Sequence, residues 1–477
     1  MTKFSRRLFL KGGAATGFAS MASTLGMVGA QKAWAADTTG YKALVCVFFL
    51  GGLDHADTIL PFDEASFDQL ASVRPGLFGQ YGVGSGNSSR DRVNMMELTI
   101  PNADRFGGRQ FALPLQLAGL HSLFESGEAA IIGNVGPLIE PTSRETFEAG
   151  SVLLPPRLFS HNDQQSTWMA LDVEGQQVGW GGRFADAIIE ADPSADPTFA
   201  AIATSGNQVF LSGETARQFS AFGGGSSLDV LRRRILIGRD RRYDSMRNEL
   251  AQFFEQSDFG QSNLFSQDVS MSRARGIQNA ATFGDALETI VPFGTEFPGS
   301  QLGNQLEEVA RTIEARNVLG VNRQIFFCAI GGFDTHDGQV NGVPGLHNQI
   351  SGALMAFRNA MIERGIWQDV TVFTASDFGR TTIDNGDGTD HGWGGHHFVL
   401  GGSVNGGDIY GDIPSPDLTS QYYTPTRGRL IPSVSVEQYA ATLGRWFGLN
   451  DAELLAALPN LGQFGSGDLG FMSGSGT

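Results

Sequence analysis

Three apolar runs constrain this chain more than any other feature. Tyr41–Leu50 (YKALVCVFFL), Gln324–Ile330 (QIFFCAI) and Val370–Thr374 (VTVFT) carry almost no polar interruption. That is the pattern of strands buried on both faces, as in a parallel sheet with helices packed on either side. Each run then gives way to a short turn and a carboxylate: Gly51-Gly52-Leu53-Asp54, Gly331-Gly332-Phe333-Asp334 and Ala375-Ser376-Asp377. Parallel strands end on one edge of their sheet, where open α/β sheets bind ligands. Asp54, Asp334 and Asp377 are therefore expected to converge there.

Histidines join these carboxylates. His336 stands two residues beyond Asp334, and His391, His396 and His397 place three of the chain's eight histidines within seven residues of one another. Mixed Asp and His ligation suits Zn²⁺ or another divalent ion, with Mn²⁺ and Ca²⁺ as alternatives, whereas all-oxygen shells are the habit of Ca²⁺ and Mg²⁺. The segment DNGDGTD after Ile383 lacks the ligand spacing and terminal Glu of an EF-hand loop.

Upstream, Ser160-His161-Asn162-Asp163-Gln164-Gln165 reads as a helix start with Ser160 at the N-cap. A serine there suits a nucleophile beside free backbone N–H groups; the plainer alternative is a capping serine with His161 facing solvent. Arg183, in Gly179-Trp180-Gly181-Gly182-Arg183, and Arg380 are the candidate anion-neutralising cations, although structural capping would also account for Arg183.

Elsewhere the pattern predicts helices over Leu113–Ser126, from Gly179 to about Ala191, from His347 to about Arg364, and over Val436–Phe447. Further strands are expected at Ala129–Val135, Thr198–Thr204 and Val209–Leu211. Residues from about 226 to 318 change to long polar helices, read as a helical insertion whose arginines (Arg232 to Arg247) form a solvated basic face. The Gly/Ser-rich end, 465–477, is expected to be mobile. Cys46 and Cys328 sit inside apolar runs and are expected to be buried thiols with no disulfide.

Ser5-Arg6-Arg7-Leu8-Phe9-Leu10-Lys11 matches the twin-arginine export pattern, with a cleavage site at Ala33-Trp34-Ala35. Residues 1–35 are thus read as a leader, residues 36–464 as one α/β domain, and the mature protein as periplasmic or extracellular, with the export machinery as a partner and no stable membrane span. Without the leader's five basic residues, 28 of 33 Lys+Arg remain against 50 Asp+Glu, a formal charge of −22. An acidic surface of that size excludes nucleic acid, because such binding needs clustered cations to displace counterions.

Taken together, LVCVFFLGGLDHADTILP, SHNDQQ, GWGGR, GGFDTH, SDFGRT and DHGWGGHHFVLGG resemble the exported domain-of-unknown-function 1501 family, grouped with the alkaline phosphatase and sulfatase superfamily. The resemblance implies an α/β fold around a central, mostly parallel sheet and a site for tetrahedral oxyanion esters. It also implies metal ligation by Asp54, Asp334, His336, Asp377, His391 and either His396 or His397, with Ser160 as nucleophile. The reaction implied is metal-dependent hydrolysis of phosphate or sulfate esters. The alternative is a non-catalytic envelope protein that keeps the fold as a scaffold for a protein partner. No Cys-x-Pro-x-Arg sequence is present, so a formylglycine mechanism is not expected.

Overall fold

The computed structural model describes residues 35–101, 103–193, 196–221 and 264–473. The twin-arginine motif, the Arg232–Arg247 face and the last four residues lie outside them. The main sheet has nine strands: β1 (Lys42–Phe49), β2 (Ala129–Gly136), β3 (Ala201–Ala203), β4 (Phe219–Ser220), β5 (Arg323–Ile330), β6 (Val370–Ser376), β7 (Gly395–Gly401), β8 (Ile409–Gly411) and β9 (Val434–Ser435). Their order is β8-β2-β7-β6-β1-β5-β3-β4, with β9 also pairing β2. All pairings are parallel except those of β7, which runs against both β2 and β6.

The three apolar runs become β5, β1 and β6, side by side, with Phe49 in register with both Ile330 and Ser376. Strand alternation divides β1 between two cores. Val45, Val47 and Phe49 face the one built with α3 (Gln301–Glu314) and α4 (Gln339–Glu363), through Leu306, Val309, Leu354 and Phe357. Leu44, Cys46 and Phe48 face the one built with α2 (Trp180–Ala191) and α5 (Val436–Phe447), through Trp180, Phe184, Tyr439 and Leu443. Burial on both faces explains why these runs lack polar positions. Ser300 accepts from Gly303 N–H to start α3, and Ser435 with Gln438 forms a capping box on α5. The fold is thus α/β, with a mostly parallel central sheet flanked by helices. Cys46 and Cys328 are buried free thiols.

Some boundaries move. Helix α4 begins at Gln339 rather than His347, runs through Pro344, and buries His347 completely. Val209–Leu211 is a single 3-10 turn. In the stretch expected to be mobile, Phe471 and Met472 are buried and Ser473 N–H donates to the Ser403 carbonyl at 2.8 Å. Packing of those two apolar side chains outweighs the Gly/Ser composition around them. Among the described residues, no helix is long and apolar enough to cross a membrane.

Candidate metal centre

The site lies at the carboxyl ends of β5, β1 and β6. Asp334 is set by a tight approach of two chain segments: Gly51 has φ +115, and a side chain on it would overlap the Asp334 backbone nitrogen. His161 is the first residue of α1 (His161–Ala170). Just before it Phe159 adopts φ 74, a strained conformation for a bulky residue. His391 ends a two-stranded ribbon, Arg380–Asp384 with Thr389–His391, in which it pairs with Arg380.

Three imidazole Nε2 atoms surround one carboxylate oxygen. Asp334 Oδ1 is 3.4 Å from His161 Nε2, 3.2 Å from His336 Nε2 and 3.5 Å from His391 Nε2. His336 and His391 approach each other at 2.8 Å, Nε2 to Nε2. Every Nδ1 faces an oxygen instead: His161 faces Asp377 Oδ2 at 2.6 Å, His391 the Phe159 carbonyl at 2.8 Å, and His336 Asp390 Oδ1 at 3.4 Å. A proton on each Nδ1 leaves Nε2 as a lone pair. This is how metal-binding imidazoles are oriented by carboxylates and carbonyls behind them. Ligands of a tetrahedral ion with bonds of 2.0–2.1 Å stand about 3.4 Å apart. The set His161, Asp334 and His391, with His336 on the open side, therefore fits a divalent ion, and its nitrogen-rich chemistry fits Zn²⁺ or another transition metal better than Ca²⁺ or Mg²⁺.

Electrostatics follow from the same contacts. Its hydrogen bond to Asp377 raises the pKa of His161 above the ordinary imidazole value, against the opposing effect of burial. Burial lowers that of His391, partly offset by the Phe159 carbonyl. Burial alone would raise Asp334, but the hydrogen bond and charge of Arg380 hold it below the usual carboxylate range. The site stays open to water: the side chains of Asp334 and His336 are 48% and 45% exposed.

Of the residues singled out in the sequence, Asp334, His336, Asp377, His391 and Arg380 meet here. Asp377 is fully buried; its Oδ2 takes His161 Nδ1, Gln165 Nε2 at 3.0 Å and Gly51 N–H at 3.1 Å, so it sits behind His161 rather than beside Asp334. Arg380 donates to Asp334 Oδ1 at 2.8 Å, to the Gly51 carbonyl at 2.9 Å and to both oxygens of Thr389, which spends its guanidinium on holding the site.

Four expectations need correction. Asp54 leaves the group because Arg74 grips it through two bonds of 2.6 and 2.8 Å, with Gln339 Nε2 adding a third at 2.6 Å. His396 is buried, accepts Asn134 N–H at its Nδ1 and packs edge-on against His55. His397 is buried on the opposite face of β7 between Trp168 and Tyr439, where loss of water pulls its pKa down to about 3. Arg183 donates to the Ala457 carbonyl at 2.9 Å, a structural bond.

Sequence reasoning passed over His161 in favour of its neighbour. Ser160 is the N-cap residue of α1, yet its side chain makes no capping hydrogen bond. Beside His391 the sequence also gave no weight to Arg427 and Arg429. Arg429 lies over the Phe159 ring at 3.7 Å and donates from Nε to the His391 carbonyl at 2.8 Å. Arg427, 62% exposed, donates to Asp390 at 2.7 Å.

The family model described as protein of unknown function (DUF1501) matches residues 122–460. The chain belongs to this family. All three imidazoles and Asp334 lie within the matched residues. No curated protein is significantly similar to the chain. Solved structures are similar only loosely. Ps i-CgsB in complex with k-i-k-neocarrahexaose overlays 87% of this chain and 74% of its own at 10% identity, with a TM-score of 0.32. The PsFucS1 sulfatase from Pseudoalteromonas sp. overlays 90% of this chain and 71% of its own at 11% identity, again with a TM-score of 0.32. Overlays at that score say nothing about the reaction.

Proposed function

We propose that this member of the DUF1501 family is a metal-dependent hydrolase of phosphate or sulfate esters acting outside the cytoplasm. The observation that carries the proposal is the convergence of the three Nε2 atoms on Asp334 Oδ1, each imidazole fastened through Nδ1 to an oxygen behind it. Half-exposed side chains on one flank favour a reaction centre over a sealed structural site. The compartment rests on the twin-arginine motif.

A bound divalent ion would supply Lewis-acid polarisation and a lowered pKa for an oxygen attached to it. The chain's own residues do the rest. Asp377, the Phe159 carbonyl and Asp390 hold the imidazoles in the Nδ1–H tautomer, and Arg380 keeps Asp334 ionised. Ser160, whose hydroxyl is not used to cap α1, is the proposed nucleophile. Its Oγ would bond to phosphorus or sulfur as the ester oxygen departs with a proton, and water would then release the seryl intermediate.

Elemental analysis of mature protein purified without chelator tests the metal, with about one equivalent expected. An ester screen then compares the parent with Ser160→Ala. The expected result is unchanged metal content and melting temperature with turnover lowered by roughly three orders of magnitude or more. A metal-free parent that stays inactive with every added divalent ion sinks the proposal, and a Ser160→Ala variant at the parent's rate sinks the nucleophile.

A further inference from the structure

Arg427 and Arg429 are cations without a structural task equal to their charge. Arg429 uses only Nε, on the His391 carbonyl, and its position over the Phe159 ring, 3.7 Å from the centroid, holds the guanidinium in place. Its Nη1 and Nη2 have no hydrogen-bond partner among the described residues. Arg427 spends Nη1 on Asp390, the same carboxylate that faces His336. The two arginines are close enough to repel one another, and Asp390 is the carboxylate that offsets them. Asp390 is shared between the two guanidiniums but, of the two, is bonded only by Arg427, which leaves the terminal nitrogens of Arg429 beside the open site for an oxyanion to take.

The charge balance says which anion. Three carboxylates (Asp334, Asp377, Asp390) and three guanidiniums (Arg380, Arg427, Arg429) make up the connected network and cancel. The histidines enter neutral if they ligate a metal. A divalent ion then leaves the loaded site with two positive charges. A phosphate monoester carries two negative charges at neutral to alkaline pH, whereas a sulfate monoester carries one.

We infer that Arg427 and Arg429 form an anion clamp beside the metal centre and fit the site to dianionic phosphate monoesters rather than monoanionic sulfate esters. The inference rests on the hydrolase reading above and narrows its substrate class. Arg429 is the stronger member, because its terminal N–H groups have no partner among the described residues and its guanidinium is anchored by the His391 carbonyl and the Phe159 ring, which suits a forked contact with two oxygens.

Phenylphosphonate and benzenesulfonate test it. They share a shape, resist hydrolysis, and carry two charges and one charge respectively at alkaline pH. Calorimetric titration of the metal-loaded mature protein should give at least roughly tenfold tighter binding of phenylphosphonate. Arg429→Gln should weaken that binding about tenfold or more and Arg427→Gln by a smaller factor, with metal content and melting temperature unchanged. Equal affinities for the two probes overturn the dianion preference. Phosphonate affinity within twofold of the parent in both variants overturns the clamp. If Arg429→Gln fails to fold, Arg427→Gln, exposed at the surface, and Arg429→Lys, which keeps the charge but loses the fork, decide the matter by the same criterion. A parent that takes up no metal sinks the hydrolase reading separately. The clamp is then judged on phenylphosphonate binding to metal-free protein, where loss in the Arg429 variant supports it and no loss overturns it.

Discussion

Two groups of histidines in this molecule show how little the residue type alone decides. His161, His336 and His391 face one another across half-exposed space, with each Nδ1 on an oxygen and each Nε2 toward Asp334. His55, His347, His396 and His397 are buried among aromatic rings, threonines and backbone, and burial pushes His55 and His347 down to about 4 and His397 to about 3. The first group turns its Nε2 atoms toward a half-exposed carboxylate. The second is kept neutral and serves as packing with a polar atom. The difference lies in what surrounds the ring: an oxygen on Nδ1 and open space ahead of Nε2 in one case, and in the other a single threonine or backbone contact on one nitrogen with the rest of the ring sealed from water.

The comparison breaks first at the metal. His391→Ala is expected to lose nearly all bound metal and to cut ester turnover by about three orders of magnitude or more, whereas His397→Ala keeps the metal and instead loses roughly 2–4 kcal/mol of stability through the cavity it leaves. Elemental analysis and chemical denaturation of the two variants separate the roles; metal loss in both would erase the distinction.

An effect on stability alone sharpens it on the carboxylates. Asp54 and Asp334 follow equivalent neighbouring strands, but Asp54 is sealed against Arg74 while Asp334 is open. Arg74→Ala should cost about 3–5 kcal/mol by leaving a buried carboxylate without its partner, with metal content retained. Urea unfolding read beside metal content checks this.

The smallest expected effect concerns pH. Glu308 is sealed like Asp54 but its Oε1 has no hydrogen-bond partner among the described residues, and burial pushes its pKa up to about 7 despite Arg311. A carboxyl raised in the folded state binds its proton more tightly there than in the unfolded chain. Its contribution is therefore fully present below the ordinary glutamate value and is lost as pH rises toward about 7. Glu308→Gln should flatten stability across that window and be more stable than the parent at pH 8 by on the order of 2–3 kcal/mol. Melting curves at several pH values would show parallel dependence if the reading is wrong.

Much of this arrangement was legible in the amino-acid sequence. Apolar runs with no polar face identified three neighbouring parallel strands, and the turn-and-carboxylate endings located the edge where Asp334 meets His336 and His391 and where Asp377 stands behind His161. What stayed hidden depends on contacts through space. Nothing near Asp54 announces that Arg74, twenty residues on, will occupy both of its oxygens. His396 and His397 looked like ligands because they follow His391 closely, but within a strand adjacent residues face opposite ways, and a strand buried on both faces takes both away from solvent. At the start of α1 the serine drew attention as the usual capping residue, while the histidine after it reaches Asp377 from more than two hundred positions away in the chain.

The one reversed strand has a consequence for how the molecule assembles. Because β7 runs against its neighbours, its beginning lies at the edge where β1, β5 and β6 end, and His391 comes to the centre ahead of a strand while Asp334 arrives after one. The centre is therefore stitched from segments at positions 161, 334 and 391, and it exists only once β7 has docked between β2 and β6. Contacts of such long sequence separation form late and slowly. An ion seated there would bind the finished fold and not its precursors, so that occupancy becomes a record of completed folding and draws the whole population toward it by mass action.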